Sequence, residues 1–92
     1  MGNSAVVVYP NPARDFLNVE FVIGNVDSGT YHGMDLQLVT MQGIVVAKQT
    51  VPDTKTGMNR TTMDLRDLPN GAYLLKVDGG EIHQVIKVVV NR

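Results

Sequence analysis

Apolar residues recur along this chain at every second position and almost never at helical spacing, so the sequence predicts strands throughout and no helix. Residues 5–9 make a first short apolar run, stopped by Pro10-Asn11-Pro12, where each proline removes a ladder donor and fixes its φ. In Phe16–Ile23 the side chains of Leu17, Val19, Phe21 and Ile23 share one face while Asn18 and Glu20 point away, as in a strand with one buried side. Residues 24–33 collect Gly, Asn, Asp and Ser and read as a loop, longer than a tight connection needs. Met34–Thr40 alternates again, with Leu36 and Leu38 inward and Asp35 and Gln37 outward. Gly43, available for positive φ, then turns the chain into a returning strand over residues 44–51. A polar loop over residues 52–59 precedes a stretch with Met63 and Leu65 on one face and Asp64 and Arg66 on the other. The last two strands are expected at residues 73–77, grouping Tyr73, Leu75 and Val77, and at Ile82–Val90, grouping Ile82, Ile86, Val88 and Val90.

About seven short strands divided by Gly, Asn and Pro turns predict an all-β fold, an immunoglobulin-like antiparallel β-sandwich. The stretch LPNGAY fits that fold. Leu68 would plug the core, Gly71 would take a conformation that a side chain forbids, and Tyr73 would turn its hydroxyl onto the preceding corner. These are structural duties, and they set aside a catalytic role for Tyr73.

Length and charge narrow the function classes. Ninety-two residues allow one domain with one core, and a 43% hydrophobic fraction is enough to fold it. A net charge of −1 with mixed signs gives no basic field for nucleic acid or anionic lipid. With no cysteine, disulfides, thiolate nucleophiles and Cys-based zinc sites are all excluded, although the compartment is not fixed. No apolar run approaches the roughly 20 residues that span a bilayer, and the opening residues lack the features of a signal peptide.

Candidate chemistry is sparse. His32 falls in a loop and His83 on the solvated face of the last strand, a poor start for a shared metal site. Asp27, Ser28 and His32 lie within one polar turn, which cannot hold the strand-supported geometry of nucleophilic catalysis. Asp27, Asp53, Asp64, Asp67 and Asp78 are scattered and match no EF-hand spacing. The sequon at Asn59-Arg60-Thr61 is a weak signal, and three tyrosines and two phenylalanines supply no aromatic platform. No enzyme, cofactor or metal is expected.

Four segments in order, VVVYPNPARDFLNVEF, LQLVTMQGIVVAKQT, LRDLPNGAYLLKV and HQVIKVVVNR, resemble the C-terminal sorting domain of the type IX (Por) secretion system of Bacteroidetes. The resemblance implies that residues 1–92 are a single sorting domain, residues 1–4 being a linker or expression remnant, at the end of a larger exported protein. Its cargo would reach the periplasm by a signal peptide that this sequence does not show. An outer-membrane translocon would then recognise the domain. A sortase-like signal peptidase would remove it and attach the cargo at the cell surface. The family's turn motif falls on Pro10, Asn11 and Pro12, and its glycine-tyrosine block on Gly71, Tyr73, Lys76 and Val77. The terminal recognition element falls on Lys87, Val88, Val89, Val90 and Arg92.

An apolar last strand would offer main-chain groups for strand addition, with Lys87 and Arg92 supplying charge, and an exposed edge would permit a dimer. The alternative is a non-catalytic fibronectin-like or immunoglobulin-like accessory module, for carbohydrate binding or adhesion. An exposed aromatic row or a loop metal site would mark the first, and internal repeats the second; none is visible in the sequence.

Overall fold

Strands with one apolar side need a second apolar surface to cover it, and here two sheets cover each other. The computed structural model describes residues 6–23, 33–52, 54, 57–79 and 82–92. Its strands are β1 (Val6–Tyr9), β2 (Phe16–Ile23), β3 (Met34–Thr40), β4 (Val45–Val51), β5 (Gly57–Asp64), β6 (Gly71–Gly79) and β7 (Ile82–Val90). One sheet runs β1-β2-β5 and the other β4-β3-β6-β7, and every neighbouring pair is antiparallel. The all-β sandwich read from the sequence is therefore the fold. In immunoglobulin order the sheets are ABE and C′CFG, with the fourth strand beside the third rather than in the first sheet.

The β3–β4 hairpin explains that placement. Thr40 N–H donates to Ile44 O at 2.8 Å and Gly43 N–H to Thr40 O at 2.9 Å. The Thr40 hydroxyl oxygen accepts from Gln42 N–H and Ile44 N–H. Gly43 sits at φ +93°, which glycine alone adopts without cost. A turn closed this tightly keeps β4 against β3, with one register shift where Leu38 pairs Ala47 and Val39 pairs Val45.

Leu17, Val19 and Phe21 of β2 and Met63 of β5 face Leu36 and Leu38 of β3, Leu75 and Val77 of β6, and Val88 and Val90 of β7 across the interior. The inward sets match those expected from the alternation. The side chain of Ile23, Ala5 and the whole 24–32 stretch, with His32 and the Asp27–Ser28 turn, lie outside the described residues. Three boundaries move. β5 begins at Gly57 and takes in the last three residues of the expected polar loop, because Ile23, Val22 and Phe21 pair with Gly57, Met58 and Asn59 and draw them into the ladder. β6 runs from Gly71 to Gly79, since β3 and β7 flank it on both sides. Ile44 belongs to the hairpin turn and is exposed.

At the β5–β6 corner, Tyr73 donates its hydroxyl to Pro69 O at 2.6 Å, and Leu68 is buried in the core, as read from LPNGAY. Gly71 lies at φ +159°, and a Cβ there would meet only Tyr73 Cε1 at 3.9 Å. The backbone angle, not space, is thus the restriction. Replacing Tyr73 with Phe should lower unfolding free energy by about 1 kcal/mol, by urea denaturation with an unchanged m-value, because the Pro69 carbonyl loses its donor.

The outer face of the three-stranded sheet is knitted together by polar pairs. Tyr9 donates its hydroxyl to Glu20, Arg60 reaches both, and Thr62 donates to Asn18 Oδ1 at 3.0 Å. Arg66 holds Asp64 through its side-chain Nε and Nη2 and its backbone N–H, and lies over the Phe16 ring at 5.2 Å. These bonds pull the Asp64 pKa from 3.8 down to about 2. Because the folded value lies below the unfolded one, the pair adds to stability above about pH 4, and that increment fades as the pH falls toward 2. NMR titration of Asp64 should show this low midpoint, and Arg66→Ala should raise it only part of the way toward the ordinary carboxylate range, because the backbone N–H of residue 66 still donates to Asp64.

Candidate functional site

The last strand pairs with β6 over its whole length, from Gly79↔Ile82 to Gly71↔Val90. Alternation then sorts the expected recognition residues into two sets. Val88 and Val90 point inward and are buried in the core. Lys87 is exposed and Val89 half-buried on the outward side. Tyr73 stands opposite Val88, and Lys76 opposite Val85, so the glycine-tyrosine block and the terminal strand are one ladder.

The turn motif arrives at the same place. After β1 the chain leaves the three-stranded sheet and runs along the outer edge of β7. There Ala13 forms a parallel bridge with Val90. Ala13 N–H donates to Val89 O at 2.7 Å, and Asn91 N–H donates to Ala13 O at 2.8 Å. Beside it, the Asn11 side chain takes the part of a peptide group: Nδ2 donates to Lys87 O and Oδ1 accepts from Val89 N–H, both at 3.0 Å. Pro10 and Pro12 are exposed and hold this asparagine between residues that cannot donate. Three motifs far apart in sequence are thereby gathered at one end of the sandwich.

Arg92 closes that end. Its Nη1 donates to Arg14 O at 3.0 Å and to Leu65 O at 3.1 Å, its Nη2 donates to Leu68 O, and its backbone N–H donates to Asn70 Oδ1 at 3.0 Å. Asp15 Oδ1 lies 4.0 Å from Nε. A charge expected to face a partner is instead spent largely on carbonyls that end two turns of the fold.

The edge of β7 is consequently divided. Main-chain groups of Lys87 O, Val89 and Asn91 are taken by residues 11–13. The same alternation aims the N–H and C=O of His83 and Val85 and the N–H of Lys87 outward, where no strand pairs among the described residues. Strand addition thus has an open stretch at 83–87 and a covered one beyond it.

Alternation showed which valines face out, but not Asn11 as a peptide mimic, nor Ala13, Asn70 or the inward reach of Arg92. An asparagine flanked by prolines is the one available sign, since its side-chain amide can both donate and accept where its two neighbours have no N–H. His83 Nδ1 lies 2.9 Å from Asp78 Oδ1 on the outer face. Among the described residues no group of three His, Asp or Glu side chains is placed to hold a metal ion, and no helix is long and apolar enough to cross a membrane.

Asn11→Ala should speed amide exchange at Val89 by about tenfold or more while leaving core amides protected, because one cover bond goes and the fold does not. Arg92→Ala should cost about 1–3 kcal/mol in urea denaturation, with Arg92→Lys recovering only part, since an ammonium cannot span the same carbonyls.

No curated protein and no solved structure matches the chain. A family model does, over residues 7–91, and its description is a secretion system C-terminal sorting domain. That span takes in the turn motif, the corner block and the terminal strand, which are the three segments gathered at one end of the sandwich. The chain belongs to the family of type IX secretion C-terminal sorting domains.

Proposed function

We propose that residues 1–92 act as one sorting unit at the end of a cargo protein, passing through the periplasm and read there by the type IX outer-membrane translocon. A sortase-like peptidase then removes the unit ahead of β1 and leaves the cargo at the cell surface or in the medium. On this reading the domain performs no catalysis and uses no cofactor. The observation that carries it is the convergence of Asn11, Tyr73 and Lys87–Val89 at one end, where the outward side chains of Lys87 and Val89 flank main-chain groups of an edge strand. Val88, Val90 and Arg92 serve recognition indirectly, by fixing the strand's position.

The test places a signal peptide and a fluorescent protein ahead of the chain in a bacterium with a type IX apparatus. The unchanged fusion should reach the surface or medium with the domain removed. Lys87→Glu with Val89→Asp should leave it folded and periplasmic, since both side chains lie outside the core. If the unchanged fusion stays in the periplasm while folded, the sorting reading fails.

A further inference from the structure

The two outer faces of the sandwich are built on opposite rules. On the three-stranded sheet, the charged side chains of Glu20, Arg60, Asp64 and Arg66 all find partners within the face. On the four-stranded sheet, Lys48, Lys76 and Lys87 make no ion pair among the described residues. Register sets them close together. Lys48 and Lys76 stand on either side of Gln37, about 10 Å apart at ordinary strand spacing. Lys87 lies on the next strand, opposite Leu74 and diagonal to Lys76. The carboxylates of the same face, Asp35 and Asp78, occupy one end row and are engaged by Thr50 and His83.

Next to the lysines the face is apolar. Val45 and Val46 are 45% and 37% exposed, and Val85 is 59% exposed. Val39 also points outward, between Leu74 and Val45 in register, and is only 3% exposed, so the aliphatic side chains already pack on one another. Such a patch beside unpaired cations is an interaction surface.

We infer that the outer face of the four-stranded sheet docks an acidic protein surface, whose carboxylates meet Lys48, Lys76 and Lys87 and whose apolar side chains cover Val45 and Val46. Charge complementarity selects the occupant. An anionic lipid plane would extend over the whole face and meet Asp35 and Asp78 as well, whereas a protein can set its carboxylates against the lysines alone. The inference deepens the sorting reading and rests on it for its setting. It adds a second contact area, on β3 and β4, beyond the terminal strand.

The same fluorescent fusion tests it with Lys48→Glu and Val46→Asp together, both exposed and both outside the motif segments at either terminus. Export should fall by about tenfold or more with an unchanged melting temperature. A photo-crosslinking residue at Val45 should form a protein adduct that this double variant abolishes, and one at Val7, on the other face, should form none. Export within about twofold of the unchanged fusion overturns the inference while leaving the sorting reading intact. If the unchanged fusion is not exported, the sorting reading falls, and the charge-dependent adduct at Val45 alone decides. Co-sedimentation of the purified chain with phosphatidylglycerol vesicles, lost in the double variant, would overturn the inference in favour of a lipid surface.

Discussion

Two sheets that share no strand can slide or splay unless the chain ties them at a seam, and here residues 10–15 make the tie. The segment leaves the three-stranded sheet after Tyr9, bonds along the edge of the four-stranded sheet through Asn11 and Ala13, and returns as β2. Ala13 is fully buried, so the crossing also closes the core beneath Val88 and Val90. Arg92 depends on it in turn, because its guanidinium bridges a carbonyl of this crossing and two of the β5–β6 corner. Remove the crossing, and the terminal strand loses its outer-edge bonds to Asn11 and Ala13, keeping its pairing with β6, its core side chains and the contacts of Arg92 with the β5–β6 corner.

Strands and their inward faces were legible because period two survives wherever one side is buried, as in Met34–Thr40 and Ile82–Val90, whose bounds match the sequence reading. The Tyr73 corner was legible because a fixed local spacing produces it. What escaped the sequence are pairings across 76 and 78 positions, Asn11 with Lys87 and Val89. Their polar atoms carry no periodicity. Arg92 read as a charge for a partner for a related reason: nothing in the sequence shows that the carbonyls of Arg14, Leu65 and Leu68 converge at the pole within its reach. Met58 and Asn59 were read as loop because their own preferences are weak, and pairing with β2 overrode them.

The contrast between the two outer faces follows from strand order. Placing β4 beside β3 widens one sheet to four strands, on which Lys48, Lys76 and Lys87 stand in the rows of Gln37 and Leu74 while Thr50 and His83 engage the carboxylates of the Asp35–Asp78 row. The narrower sheet sets Glu20 directly opposite Arg60, and Asp64 two residues from Arg66, so its charges meet within the face. One face therefore pairs its charges within the fold, and on the other the three lysines make no ion pair among the described residues.

The strand synthesised last of the seven supplies Ile82, Val88 and Val90 to the core and carries, just beyond it, the residue that bolts the pole. Nearly every contact it makes spans most of the chain or crosses to the neighbouring strand, so the sandwich cannot close until that strand has emerged from the ribosome. A chain broken off anywhere upstream has no closed core to show. Folding of this domain thus registers that β7 has been made and has found its place, which joins the fate of the whole sandwich to its last strand.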